Sequence, residues 1–194
     1  MFKTAIVYFS GTGHTHLMAE AVAEGVKQVE NSTAQLMRIK GEQIQNGRFQ
    51  DEDFLTELDT VHAIVFGSPT YMGGVAAQFK AFADAASSRW FQQKWKNKIA
   101  GGFTHSAGLS GDKQGTLLYL VINAAQHGMI WVGNSELTNP ETGVNRLGSY
   151  LGVMGQSDLD FSGKPPQITE GDRLTAILYG RRIAEAVQKF TQVV

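Results

Sequence analysis

Three times in this chain an apolar run empties into a loop of glycine and hydroxyl residues, and a segment of helical period follows. The first run is Thr4-Ala5-Ile6-Val7-Tyr8-Phe9, its loop Ser10-Gly11-Thr12-Gly13-His14-Thr15, and its helix sets Leu17, Met18, Ala21, Val22, Val26 and Val29 on one face. The second covers residues 61–66, then Gly67-Ser68-Pro69-Thr70-Tyr71-Met72-Gly73-Gly74, then Ala76, Phe79, Phe82, Ala83 and Ala86 at helical spacing. The third covers residues 99–104, then His105-Ser106-Ala107-Gly108-Leu109-Ser110-Gly111, then a helix over 113–126 burying Leu117, Leu120, Val121 and Ala124. Strands that are continuous apolar runs, each followed by a helix, belong to a parallel sheet covered on both faces.

The remaining pieces fit that scheme. Residues 34–39 form a second strand, and a short helix near 53–58 takes Asp51 or Asp53 as its cap. Residues 129–132 form a fifth strand. Trp90 and Trp95 fall in a connecting segment, and residues 133–168 show neither period. A last helix starts after Thr169, with Asp172 as its capping-box partner, and buries Ile177, Gly180, Ala184 and Val187. The expected architecture is α/β: one domain over 1–194, a doubly wound five-stranded parallel sheet of order 2-1-3-4-5 with helices on both faces. In such sheets ligands bind beyond the carboxyl ends of the strands. The loops after strands 1, 3 and 4 therefore gather at one edge.

Composition narrows the chemistry. There is no cysteine, so thiolate nucleophiles, thiolate metal sites and disulfides are excluded. The formal net charge is -1, which gives no global attraction to nucleic acid or an anionic membrane. No apolar run has the length of a membrane span and no signal peptide is legible, so the cytoplasm is the expected location. His62 and His105 are too scattered to suggest a metal site, and His14 and His16, at a helix start, read as solvent-facing.

The first loop is not a dinucleotide fingerprint, since no third glycine follows Gly13, and it is not a P-loop, since no Gly-Lys-Ser/Thr occurs. It aims backbone N–H groups and the positive end of a helix dipole at one small volume. The hydroxyls of Ser10, Thr12 and Thr15 crowd the same volume, and no lysine or arginine lies between Ser10 and Lys27. That combination suits a phosphate held by neutral donors.

The pattern Ser10-x-Thr12-Gly13-x-Thr15 resembles the phosphate loop of the flavodoxins, which bind FMN. The segment Gly67 to Gly74, with Gln78 and Phe82, is similar to the Gly-x-Pro-Thr-aromatic-x-Gly segment of the tryptophan-repressor-binding-protein-type NAD(P)H:quinone oxidoreductases, and Ala125-Gln126-His127-Gly128-Met129 resembles their Ala-His-His-Gly-Met. Trp90 falls where that family also has tryptophan. Three places depart from the pattern: Tyr71-Met72 stands for Arg-Phe, Leu109, Ser110 and Asp112-Lys113 replace part of a glycine run, and residues 133–165 match only loosely, mainly at Arg146 and Gly148.

The resemblance implies a flavodoxin-like fold and an FMN enzyme that reduces quinones by two electrons from NAD(P)H. It implies a phosphate seat at Ser10, Gly11, Thr12, Gly13, His14 and Thr15. It implies a ring bounded by Pro69, Thr70, Tyr71, Met72, Gly73 and Gly74, and by Ser106, Ala107, Gly108 and Gly111. His127 is read either as a catalytic residue over the open ring face or as a histidine favoured by a helix C-terminus. Trp90 is read either as a packing residue or as a pocket wall lent by a neighbouring subunit, since the family implies a homo-oligomer, dimer or tetramer. A flavodoxin-type electron carrier and an NAD(P)H-dependent FMN reductase are the alternatives. Carriers are typically strongly acidic, and reductases that treat flavin as substrate usually carry arginine in the first loop.

Overall fold

The structure is a computed structural model and describes residues 1–160 and 162–192. The chain alternates as expected. Strand β1 (Phe2–Tyr8) leads to α1 (His14–Lys27), β2 (Ser32–Arg38), a minor hairpin β3 (Ile44–Gln45) and β4 (Arg48–Phe49), and α2 (Glu52–Asp59). Then come β5 (Ala63–Tyr71), β6 (Gly74–Val75), α3 (Ala77–Ala85), α4 (Ser87–Phe91), β7 (Ile99–Ser106) and α5 (Lys113–Gln126). The chain continues through β8 (Ile130–Trp131), β9 (Val153–Gln156) and α6 (Glu170–Gln192). Asp51 caps α2, its carboxylate accepting the Phe54 amide at 2.9 Å.

The main sheet runs β2-β1-β5-β7-β8, all parallel. With β5, β7 and β8 as the third, fourth and fifth strands, this is the expected order. Successive residues of each strand face opposite layers. Ala5, Val7, Ile64, Phe66 and Ala100 pack on α2, α3 and α5 through Leu58, Phe79, Phe82, Leu117 and Leu120. Ile6, Tyr8, Ala63, Val65, Ile99 and Phe103 pack on α1 and α6 through Met18, Val22, Tyr179 and Ile183. Helices α1 and α6 lie so close that a Cβ on Gly180 would strike the Val22 backbone.

Three expectations change. The third strand does not stop at Phe66; β5 runs on to Tyr71 and turns back on itself through β6, so much of the second loop is a tight hairpin. The connecting segment after α3 contains a short helix, α4, and Trp95 beyond it is wholly buried.

The fifth strand is split, which is the largest change. Only Ile130–Trp131 pairs, with Ile99 and Ala100. The chain then leaves the sheet and returns as β9, which pairs with Phe103 to Ser106. Residues 133–168, which show no period, thus contain a strand. Between the two halves Gly102 and Val132 have no ladder partner in each other. The Tyr179 hydroxyl fills the gap: it accepts the Gly102 amide at 3.0 Å and donates to the Val132 carbonyl at 2.6 Å. The excursion is closed at its root by Trp131 Nε1 donating to Leu151 O at 2.7 Å and by the Asn134 amide donating to Tyr150 O at 3.0 Å.

Candidate functional site

Parallel pairing sets the carboxyl ends of β1, β5, β7 and β9 flush. Tyr8 lies opposite Gly67, Pro69 opposite His105, and Ser106 opposite Gln156. The loops after β1, β5 and β7 therefore meet at one edge. Their contact is direct: a Cβ on Gly11 would collide with the Tyr71 hydroxyl, and a Cβ on Gly115 would lie 2.7 Å from Gly73 O. Gly13 has φ 99, a left-handed conformation that suits glycine, and Pro166 sits over it.

The first loop is built to offer donors. Ser10 is buried and turned inward; its Oγ accepts the Gly13 and His16 amides at 3.1 and 3.2 Å. The three hydroxyls are thus not equivalent. Ser10 shapes the turn and keeps one proton to donate. The Thr12 hydroxyl lies 3.1 Å from His14 Nδ1, and the Thr15 hydroxyl has no hydrogen-bond partner among the described residues. Intrahelical bonding begins with Leu17 donating to Gly13 O. The His14 and Thr15 amides, in the first turn of α1, have no protein acceptor among the described residues, as helix geometry dictates. They point with the helix dipole into the same space.

The neutral surroundings read from sequence are incomplete. Arg38, at the end of β2, donates to Ser10 O at 2.9 Å. A cleft of about 430 Å³ beside the loop is lined by Thr12, His14, Asp158, Asp160, Lys164 and Pro166, among others. Neither cation was legible as a site residue, because each reaches the loop from a remote segment with no motif around it.

His14 is not solvent-facing. Its ring stacks on His105 with centroids 4.8 Å apart and planes within 8°. Burial lowers the His14 pKa from its ordinary value. Burial first, and then the nearby His14, Lys113 and Arg146, hold His105 down to about 3. Both rings are therefore neutral at neutral pH. His16 is half-buried, its Nδ1 2.6 Å from the Tyr8 hydroxyl, whose pKa burial pushes up to about 12.

The second loop divides into inner and outer parts. Ser68, Pro69 and Thr70 are buried. Ser68 Oγ accepts the Ala76 amide at 2.9 Å and so closes the hairpin. The Thr70 hydroxyl is committed to Thr104 and Thr116, each at 2.8 Å, so any ligand contact of Thr70 comes from its main chain. Tyr71 and Met72 are exposed beyond it; Met72 sits at φ 48 with its side chain fully in solvent.

The third loop is held from beneath. Lys113 Nζ donates to Ser106 Oγ at 3.0 Å and to Gly108 O. Gln156 Nε2 donates to Ala107 O at 2.9 Å. Gln156 is fixed in turn by Arg146, which also forms a two-pronged pair with Asp172 at 2.8 and 2.9 Å. Asp172 is buried; its amide takes the Thr169 cap, but its carboxylate turns to Arg146 and the Gln156 amide instead of closing a capping box. Gly111 lies against Ser106 and Lys113.

His127 and Trp90 do not join this edge within one chain. Helix α5 starts at the third loop, and its 14 residues carry the other end about 20 Å away at 1.5 Å per residue. There Gly128 O accepts the Asn97 amide, beside the start of β7. His127 is buried, stacked on Trp95 at 4.4 Å, and its Nδ1 has no hydrogen-bond partner among the described residues. Burial lowers its pKa to about 4, so the helix dipole does not keep it charged. Within the single chain His127 is therefore a neutral ring packed on Trp95, away from the cradle its own chain forms. Trp90 is on α4 and half exposed, next to the exposed Phe91.

The edge is thus a three-loop cradle with free helix-start amides at one end and exposed aromatic and glycine residues at the other, on a flavodoxin-like sheet. Residues 4–142 match the model of the NADPH-dependent FMN reductase family, and the chain belongs to that family. It is 40% identical over 194 residues to flavodoxin FldP of Pseudomonas aeruginosa, covering 97% of this chain and 98% of that one. It is 31% identical over 202 residues to an NAD(P)H dehydrogenase (quinone) of Archaeoglobus fulgidus, covering 97% and 99%. Among solved structures, the flavodoxin, WrbA-like protein of Agrobacterium tumefaciens aligns with TM-score 0.76 at 44% identity, covering 98% of this chain and 99% of that one.

Proposed function

We propose that the cradle binds FMN and that the protein is an NAD(P)H-dependent quinone oxidoreductase. The observation that carries the reading is the pair of acceptor-free amides, His14 and Thr15, at the start of α1 inside the arc of the three loops. A phosphate there gains both amides, the dipole, and the Thr12 and Thr15 hydroxyls. Arg38 holds the loop's backbone and adds positive charge nearby. Tyr71 over Gly11, with Gly73 and Gly74 beyond, leaves space for a flat ring. Main-chain groups of residues 106–108, fixed by Lys113 and Gln156, meet its polar edge.

FMN, when bound, supplies two-electron transfer between a nicotinamide and a quinone. The protein orients it and leaves one face open to both substrates in turn. Trp90 and Phe91, exposed at the far end of the fold, suit a homo-oligomer in which Trp90 walls the pocket of a neighbouring copy. A cytoplasmic location follows from the nicotinamide donor. Among the described residues no helix is long and apolar enough to cross a membrane.

Purified protein should be yellow, be bleached by NAD(P)H and regain colour with benzoquinone. A colourless protein that takes up no FMN refutes the reading. The relative named flavodoxin favours a second reading, an electron carrier. A flavin that NAD(P)H reduces only negligibly would select it.

A further inference from the structure

Lys113 is wholly buried, a rare state for lysine. It opens α5 and folds back beneath the third loop. Its ammonium donates to Ser106 Oγ and Gly108 O, and it forms no ion pair among the described residues. The charged and titratable groups near it are Arg146 and Asp172, paired with each other, and the neutral His105 on β7, stacked on His14 of α1. Arg146 and Asp172 are committed to each other, and Asp158 reaches the loop only through Gln156 Nε2, so the Lys113 ammonium has no direct counter-ion behind the loop among the described residues. A buried ammonium without a counter-ion costs stability, and an anion brought close to the loop would offset that cost.

We propose that Lys113 sets the redox poise of FMN, its charge behind residues 106–111 stabilising the anionic form that the flavin takes on two-electron reduction. This rests on the FMN reading above. Hydride transfer moves two electrons and one proton from NAD(P)H, which becomes NAD(P)⁺. A bound FMN reduced in this way would carry one added hydrogen and one negative charge. A cation held nearby favours that state over the neutral one that has taken a second proton. Lys113 acts here as a tuning and positioning residue, through the loop it supports.

The test is the two-electron potential of bound FMN in wild type, Lys113→Gln and Lys113→Arg, with binding of oxidised FMN measured alongside. Lys113→Gln keeps a side-chain donor, one bond shorter, and removes the charge. It should bind oxidised FMN within about threefold of wild type and reduced FMN at least tenfold more weakly, a potential lowered by about 30 mV for a two-electron couple. Lys113→Arg should stay close to wild type. Equal weakening of both oxidation states, with the potential unchanged, overturns the proposal and leaves Lys113 a loop staple.

Wild type alone provides a second measurement if the glutamine variant does not fold. At about pH 6, reduction should take up one proton per two electrons; uptake of two overturns the proposal. A wild-type protein that binds no FMN overturns the flavin reading itself, and the proposal with it, before any potential is measured.

Discussion

Replacing Tyr179 by phenylalanine removes one oxygen atom at the break in the fifth strand. The ring is fully buried and its hydroxyl serves two backbone groups, accepting from the Gly102 amide and donating to the Val132 carbonyl. Without it, the buried Gly102 amide has no acceptor, because β8 and β9 pair with β7 only on either side of that point. An unsatisfied buried donor costs about 1–3 kcal/mol. The Val132 carbonyl, on a half-buried residue, adds roughly 1 kcal/mol. The expected loss is about 3 kcal/mol, or roughly 6–12 °C in Tm for a domain of this size. Urea unfolding of apoprotein measures it, with Tyr119→Phe as control. Tyr119 is half-buried and its hydroxyl makes no hydrogen bond among the described residues, so the control should lie within about 0.5 kcal/mol of wild type. If Tyr179→Phe matches the control, the hydroxyl is not what bridges the split strand.

Thr15→Val should weaken FMN by about 10–100-fold, the worth of one hydrogen bond to a charged group; an unchanged Kd in a fluorescence-quenching titration places the phosphate elsewhere. His127→Ala should leave FMN affinity within about threefold of wild type, since the ring stacks on Trp95 at the far end of α5, and a large loss of affinity would mean that His127 reaches a cofactor across an interface. Stability should fall on acidification. His105 and His127 have folded pKa values of about 3 and about 4, below the unfolded value of about 6.5. Between those limits the unfolded chain holds the extra protons, so stability is full above about pH 6.5 and drops by up to about 1.4 kcal/mol per pH unit for each histidine. Urea midpoints that do not change from pH 7 to 5 would contradict this.

Elements with a local signal were legible in the sequence. Helix α5 begins and ends where its period does, at Lys113 and Gln126, because Gly111 and Gly128, both at positive φ, bound it. The convergence of the three loops was legible too, since parallel topology alone places them at one edge. The break in the fifth strand was not. Val153–Gln156 contains a glycine and a glutamine and becomes a strand only because the end of β7 offers it a ladder. The roles within the first loop were only partly legible, because a hydroxyl's spacing does not reveal whether it turns inward, as Ser10 does, or stays free, as Thr15 does. Nothing local in the sequence marks Lys113 as buried, because its burial depends on Ser106 and Gly108 folding over it. For His127 the motif was visible but its location was not, since the length of α5 carries it away from the cradle.

The central claim is that three loops on one sheet edge hold an FMN that passes electrons from NAD(P)H to a quinone. Its most direct test is the absorption spectrum of the purified protein during anaerobic addition of NAD(P)H and then of benzoquinone. A flavin spectrum that bleaches with NAD(P)H and returns with benzoquinone is the expected result. A protein without flavin absorbance, and with none gained on adding FMN, contradicts the account.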